Sequence, residues 1–158
     1  MNQKSFAGWL RVVIGGIAVI GALLYLYILP HYGSEYLVSL LGGESRLAPF
    51  MIFVWVSAVP CYIVLWYGRK LAIAIGNDRS FTVENAHILT KICYITAFDT
   101  AFYFMGALVF IILGASGSMI MFSMLIVFVG ITVVVVCSTA SHLVARAAEI
   151  QEENDLMI

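Results

Sequence analysis

Charge is what this sequence has least of: Asp, Glu, Lys and Arg make up 11% of its 158 residues, and the net charge is -1. So little charge offers no electrostatic footprint for direct nucleic-acid binding. It also leaves too few polar side chains to coat a soluble domain. Hydrophobic residues reach 63% and the mean hydropathy is +1.03, whereas ordinary globular domains are about 45–50% apolar. The solvent for most of this chain is therefore lipid. Cysteine is scarce as well. Cys61, Cys93 and Cys137 are odd in number, show no C-x-x-C spacing and fall in or beside apolar runs. That pattern supports neither a disulfide framework nor a zinc site, and the three read as small buried apolar residues. Also missing are a nucleophile–base set, a phosphate-binding glycine loop and a metalloprotease motif, so neither an enzyme nor a cofactor is expected.

What the sequence does have is four apolar runs, at 8–29, 47–67, 88–113 and 119–142. Each is long enough to cross a bilayer, which takes about 20 helical residues. The first is too long for a signal-peptide core and has no A-x-A-like site after it, so it is kept as a permanent span. The fold class expected is an all-α membrane protein. Its four transmembrane helices form one antiparallel domain over 1–158, and 143–158 continues the fourth as a cytoplasmic helical tail.

Placement of the few charges sets the orientation. Lys4, Arg11, Arg69, Lys70, Arg79, Lys91 and Arg146 share the side of the termini and the middle loop, leaving Arg46 alone on the other side. Basic residues in short loops mark the cytoplasm, so a bacterial inner-membrane protein with both ends inside is expected. In the first outer loop Pro30 is predicted to stop the first span. SEYLVSLL then reads as a short interfacial helix, opened by Ser34 as N-cap, closed by Gly42-Gly43 and laid with its apolar side on the membrane surface. Pro49 suits a helix start, whereas Pro60 lies deep in the second run, where it frees a carbonyl and predicts a kink.

Asp99, in ITAFDTAFYF, is the charged-type side chain placed well inside a span. About 11 residues separate it from the membrane surface, roughly 16 Å at helical rise. An acid at that depth is a functional candidate, and no Lys, Arg or His lies at comparable depth to offset an ionised form, so the neutral acid is expected. Thr96, Thr100 and Tyr103 accompany it on its own helix. The GASGS turn makes the third and fourth spans a hairpin whose register, counted from Ser116, brings Thr132 or Val133 opposite Asp99 and His87 opposite His142. Ser57 or Tyr62 could reach Asp99 from the second span. Such a site is either hydrogen-bonded helix glue or a proton-relay or ligand site. His87, His142 and Glu84 share the cytoplasmic end, but two histidines and one acid are a weak metal signal, and no metal is expected. Small residues punctuate the spans: Ala18 and Ala22, Ala97 and Ala101, then Ser123, Gly130 and Cys137 at seven-residue spacing, which allow close helix approach. No internal repeat points to an inverted-repeat transporter.

Two cytoplasmic-side stretches carry the most local pattern, although the capping of the first fixes where the third span enters the membrane and needs no binding function. In RSFTVENAHILTKI, residues 79–92, Thr82 suits an N-cap, Glu84 places negative charge in the first helical turn and Phe81 can pack back as a staple. In AEIQEENDLMI, residues 148–158, an acidic run precedes an apolar ending, and Leu143, Ala147 and Ile150 form one stripe. Together these stretches resemble a bacterial family of small four-span membrane proteins of unknown function. Its members carry an F-T-x-E-N-A-x-x-L-x-x-I start to the third helix and an E-N-D-L-x-I-type ending. His87-Ile88 stands where members usually carry basic residues, and Met157 where Thr is common.

The resemblance implies a neighbour, because genes of this family often lie beside a small Xre-type helix-turn-helix regulator. The function expected is thus a non-enzymatic membrane protein that binds or anchors such a regulator. Phe81, Glu84, Asn85, Ile150, Glu152, Glu153, Asn154, Asp155, Leu156 and Ile158 are its candidate docking residues. The alternatives are a small, homo-oligomeric proton-linked transporter using Asp99, and an immunity or stress-protection protein.

Overall fold

The structure, a computed structural model, describes residues 3–31, 33–77 and 81–156, and among these it is helical with no strand. Helix α1 covers Gln3–Leu23, widens into one π-helical turn at Leu24–Ile28 and finishes as Leu29–His31. The short α2 is Gly33–Leu41, α3 is Leu47–Gly76, α4 is Val83–Ile112 and α5 is Gly117–Leu156. Among the described residues four stretches are long and apolar enough to span a bilayer: Ala7–His31, Glu44–Gly76, Val83–Ile112 and Gly117–Glu153. The chain is an all-α four-span membrane protein.

The spans outrun the apolar runs that announce them because helical hydrogen bonding does not stop where hydropathy falls. Pro30 is one case. The first span ends one residue after it, at His31. Proline lacks the N–H that the carbonyl one turn back would bind, and the π-helical turn sits where that ladder is interrupted. The Trp55 indole N–H from α3 donates to the Tyr25 carbonyl in this turn at 3.1 Å. Pro60 likewise lies within the unbroken α3. Proline is better placed at Pro49, in the first turn of the same helix.

Each long helix packs mainly on its sequence neighbour: α1 on α3, α3 on α4 and α4 on α5. Much of the apolar surface therefore faces outward, as at Leu26, Phe98, Phe122 and Met121. α1 buries none of its most apolar stretch. In water such exposure would be ruinous, and in a bilayer it is the contact surface for acyl chains.

A hydrophobic core cluster lies at the end remote from the termini. Leu41, Phe50, Phe110 and Met119 are buried together there, with Leu37, Leu40, Leu47 and Phe53 against them. α2 is thus a lid on the bundle. Its Leu37, Leu40 and Leu41 turn toward this core, which corrects the expectation that its apolar side lies on the membrane surface. Tyr36, on the opposite side, is 79% exposed. Ser34 is inside α2 rather than capping it, since the helix already includes Gly33. Gly42 closes α2 with φ 75°, a left-handed conformation natural to glycine, and the Gly42 and Gly43 N–H groups both donate to the Val38 carbonyl. Arg46 donates to the Leu41 carbonyl at 2.7 Å. The Ser116 N–H donates to the Leu40 carbonyl at 2.8 Å, tying the lid to the α4–α5 turn.

Candidate functional site

Asp99 lies midway along α4, facing α3. Ser57 and Cys61 stand one turn apart on α3, on the same face by helical periodicity. The Ser57 hydroxyl donates to one carboxyl oxygen of Asp99 at 3.1 Å, and the Cys61 thiol approaches the other at 3.6 Å. Ser57 is therefore the partner from the second span, and Cys61 is a partner the sequence did not reveal. Tyr62 is committed elsewhere: its hydroxyl donates to the Ala18 carbonyl of α1 at 2.9 Å and sits 3.2 Å from the position a Cβ on Gly21 would take.

Around Asp99 lies a cavity of about 360 Å³ with walls from all four spans, including Tyr25 of α1, Thr96 and Tyr103 of α4 and Gly130 of α5. The rest of the lining is apolar apart from Ser57, Cys61 and Thr100, and among the described residues it contains no Lys, Arg or His. Thr96 contributes a buried hydroxyl oxygen that has no hydrogen-bond partner. Thr100 turns its hydroxyl to the Thr96 carbonyl at 2.7 Å, and Tyr103 pairs with Ser123 of α5. Thr132 is not brought to Asp99. It is exposed, and its hydroxyl donates to the Phe128 carbonyl at 2.8 Å.

The small residues of α5 form a seam against α4. Ser123 is 3% exposed. A Cβ on Gly130 would overlap the Thr100 side chain, so glycine is what allows these helices to come so close. Cys93 approaches the Val134 carbonyl at 3.7 Å. At the far end Ser141 meets Thr90 at 2.6 Å and donates to the Ala86 carbonyl at 3.0 Å. The hairpin register read from the short turn is close to these contacts.

At the end bearing the termini, Thr82 caps α4 as its sequence implies, accepting from the Asn85 N–H at 3.2 Å. Phe81 and Glu84 are exposed, whereas Asn85 is buried at 2% and does not share their surface. His87 and His142 are both exposed. Among the described residues no three His, Cys, Asp or Glu side chains cluster as metal ligands. Lys70 lies over the Trp66 ring at 4.0 Å, a cation–π contact at this same end of α3. α5 continues well past Ser141 and leaves Leu143, Ile150, Glu152 and Glu153 exposed. Arg79, the side chains of Asn154, Asp155 and Leu156, and all of Met157 and Ile158 lie outside the described residues.

Over 110 residues the chain is 26% identical to a Bacillus subtilis protein named as the uncharacterized membrane protein YoaS, covering 68% of this chain and 69% of that one. No solved structure matches it. The family model described as "Protein of unknown function (DUF2975)" matches residues 43–158, a span that holds both the capped start of α4 and the acidic tail. The chain belongs to the DUF2975 family.

Proposed function

We propose that this integral membrane protein is non-enzymatic and holds a small cytoplasmic DNA-binding regulator at the inner face of the bacterial inner membrane. The observation that carries this reading is the exposed, acidic last stretch of α5, which stays helical to Leu156. Leu143 and Ile150, 65% and 55% exposed, fall on one stripe at a spacing of two helical turns. Glu149, Glu152 and Glu153 are exposed beside Ile150. An apolar stripe edged with carboxylates complements the basic surface typical of a DNA-binding domain. The excess of basic residues at this end supports a cytoplasmic location. The test is co-purification of the neighbouring helix-turn-helix regulator from native membranes in mild detergent. Capture is expected from the full chain and its loss on deletion of residues 149–158; undiminished capture by the truncated protein rejects this docking face.

A second reading is favoured by the cavity at Asp99: a small proton-linked transporter whose coupling acid is Asp99. It requires flux in proteoliposomes that disappears in Asp99→Asn. Equal flux in both proteins would exclude it.

A further inference from the structure

The cavity around Asp99 is chemically lopsided. Its one charged-type group is an acid, its lining carries no cation, and apart from a few hydroxyls and a thiol it is hydrocarbon and aromatic surface. Ser57 and Cys61 each offer one hydrogen to a different carboxyl oxygen. A carboxylate has about four lone-pair sites, so acceptor capacity is left on both oxygens. Close by, the Thr96 hydroxyl is buried with no partner, a cost that a native structure normally relieves. A cavity of about 360 Å³ is within the size range of small-ligand sites, which pair mostly apolar walls with a few fixed polar groups.

We propose that this cavity binds a small lipophilic cation, an amine on a compact apolar body, with the ammonium against Asp99 and the body against Ile126, Val129 and Val133. Other occupants fit the chemistry less well. An anion would meet the acid with nothing to neutralise it. A lipid chain would gain nothing from Asp99, Ser57 and Thr96. A bare metal ion would find one carboxylate where it needs several ligands. The ammonium supplies both a positive charge for the carboxylate and N–H donors for the acceptor capacity left on its oxygens. Asp99 releases its proton to water as the cation arrives, so the charge held in the cavity does not change. Tyr25 and Tyr103 add aromatic surface, which attracts cations. α1 and α5 each pack mainly on their own neighbour and both line the cavity, so lipid is the medium from which an amphiphilic amine would come.

This inference names a ligand class for the second reading above and rests on the cavity alone. Binding without flux would leave it standing and remove the transport reading. The experiment is calorimetric titration of the full chain in lipid nanodiscs with adamantylamine and its uncharged isostere adamantanol. The amine is expected to bind at least about ten-fold tighter, or ~1.4 kcal/mol. Asp99→Asn should erase that preference, and Val133→Trp, which fills the cavity, should abolish binding of both. Because either variant could fail to fold, a second measurement uses the unaltered protein: adamantylamine should slow labelling of Asp99 by dicyclohexylcarbodiimide, read by mass spectrometry, and adamantanol should not. Equal affinity for amine and alcohol, a preference that survives in folded Asp99→Asn, or labelling indifferent to the amine would each overturn the proposal.

Discussion

Ser57 and Asp99 join α3 to α4 inside the membrane, hydroxyl to carboxyl at 3.1 Å. Each is a polar partner for the other at a depth where polar partners are few. Hydrogen bonds between membrane helices are nevertheless modest, averaging about 0.6 kcal/mol and reaching ~1.7. Ser57→Ala should destabilise the protein by about 0.6–1.7 kcal/mol, and in an Asp99→Asn background the same substitution should cost measurably less. Reversible unfolding of the four proteins in mixed micelles gives the coupling, and strictly additive losses would mean the contact contributes nothing.

Gly130 sets how closely α5 approaches α4. A Cβ there would collide with Thr100, whose own Cβ would be 3.1 Å away, and overpacking of this kind costs about 1–3 kcal/mol. Gly130→Ala should lower thermal stability, and adding Thr100→Ala should recover most of the loss by removing the atoms in collision. A fully stable single variant would show that the helices are further apart than described.

The register of the α4–α5 hairpin has its own test. Thr90 and Ser141 touch at 2.6 Å, while His142, the next residue, is exposed. In a background free of Cys61, Cys93 and Cys137, the pair Thr90→Cys and Ser141→Cys should cross-link under mild oxidation. The pair Thr90→Cys and His142→Cys should not. The reverse pattern on a denaturing gel would shift the register by one residue.

Docking through the tail makes a sharper demand than deletion does. Ile150 is 55% exposed, so Ile150→Glu should leave thermal stability unchanged. If Ile150 anchors the partner, capture of the regulator should fall about ten-fold or more, as for an interface hot spot. Unchanged capture would move the contact to another surface.

How much of this was legible in the sequence depends on the range of the interaction that decides it. The four spans follow from hydropathy, and the cap at Thr82 from a local pattern three residues long. The α4–α5 pairing follows from a turn too short to allow any other. Where the chain has longer connections, the sequence gives less. That α1 lies against α3, taking the Tyr62 hydroxyl to Ala18 and away from Asp99, is a tertiary choice that no local spacing encodes. The apolar side of α2 could have met lipid or protein with equal ease by its pattern alone, and only the core of Phe50, Phe110 and Met119 decides it. Cys61 did carry a signal, its four-residue spacing from Ser57, but a thiol in an apolar run reads first as filler. Thr132 illustrates the opposite error: the register brought it to the right depth, but the rotation of α5 turns it outward, and a depth count cannot report rotation.

The docking proposal stands on both ends of the chain sharing the cytosol. Single cysteines at Ser5, Glu44 and Gln151, in a background without the native cysteines, can be probed in intact cells with a membrane-impermeant maleimide. Glu44→Cys should be labelled in intact cells, and Ser5→Cys and Gln151→Cys only after permeabilisation. Labelling of Ser5→Cys and Gln151→Cys from opposite faces of the membrane, or of Gln151→Cys in intact cells, would contradict it.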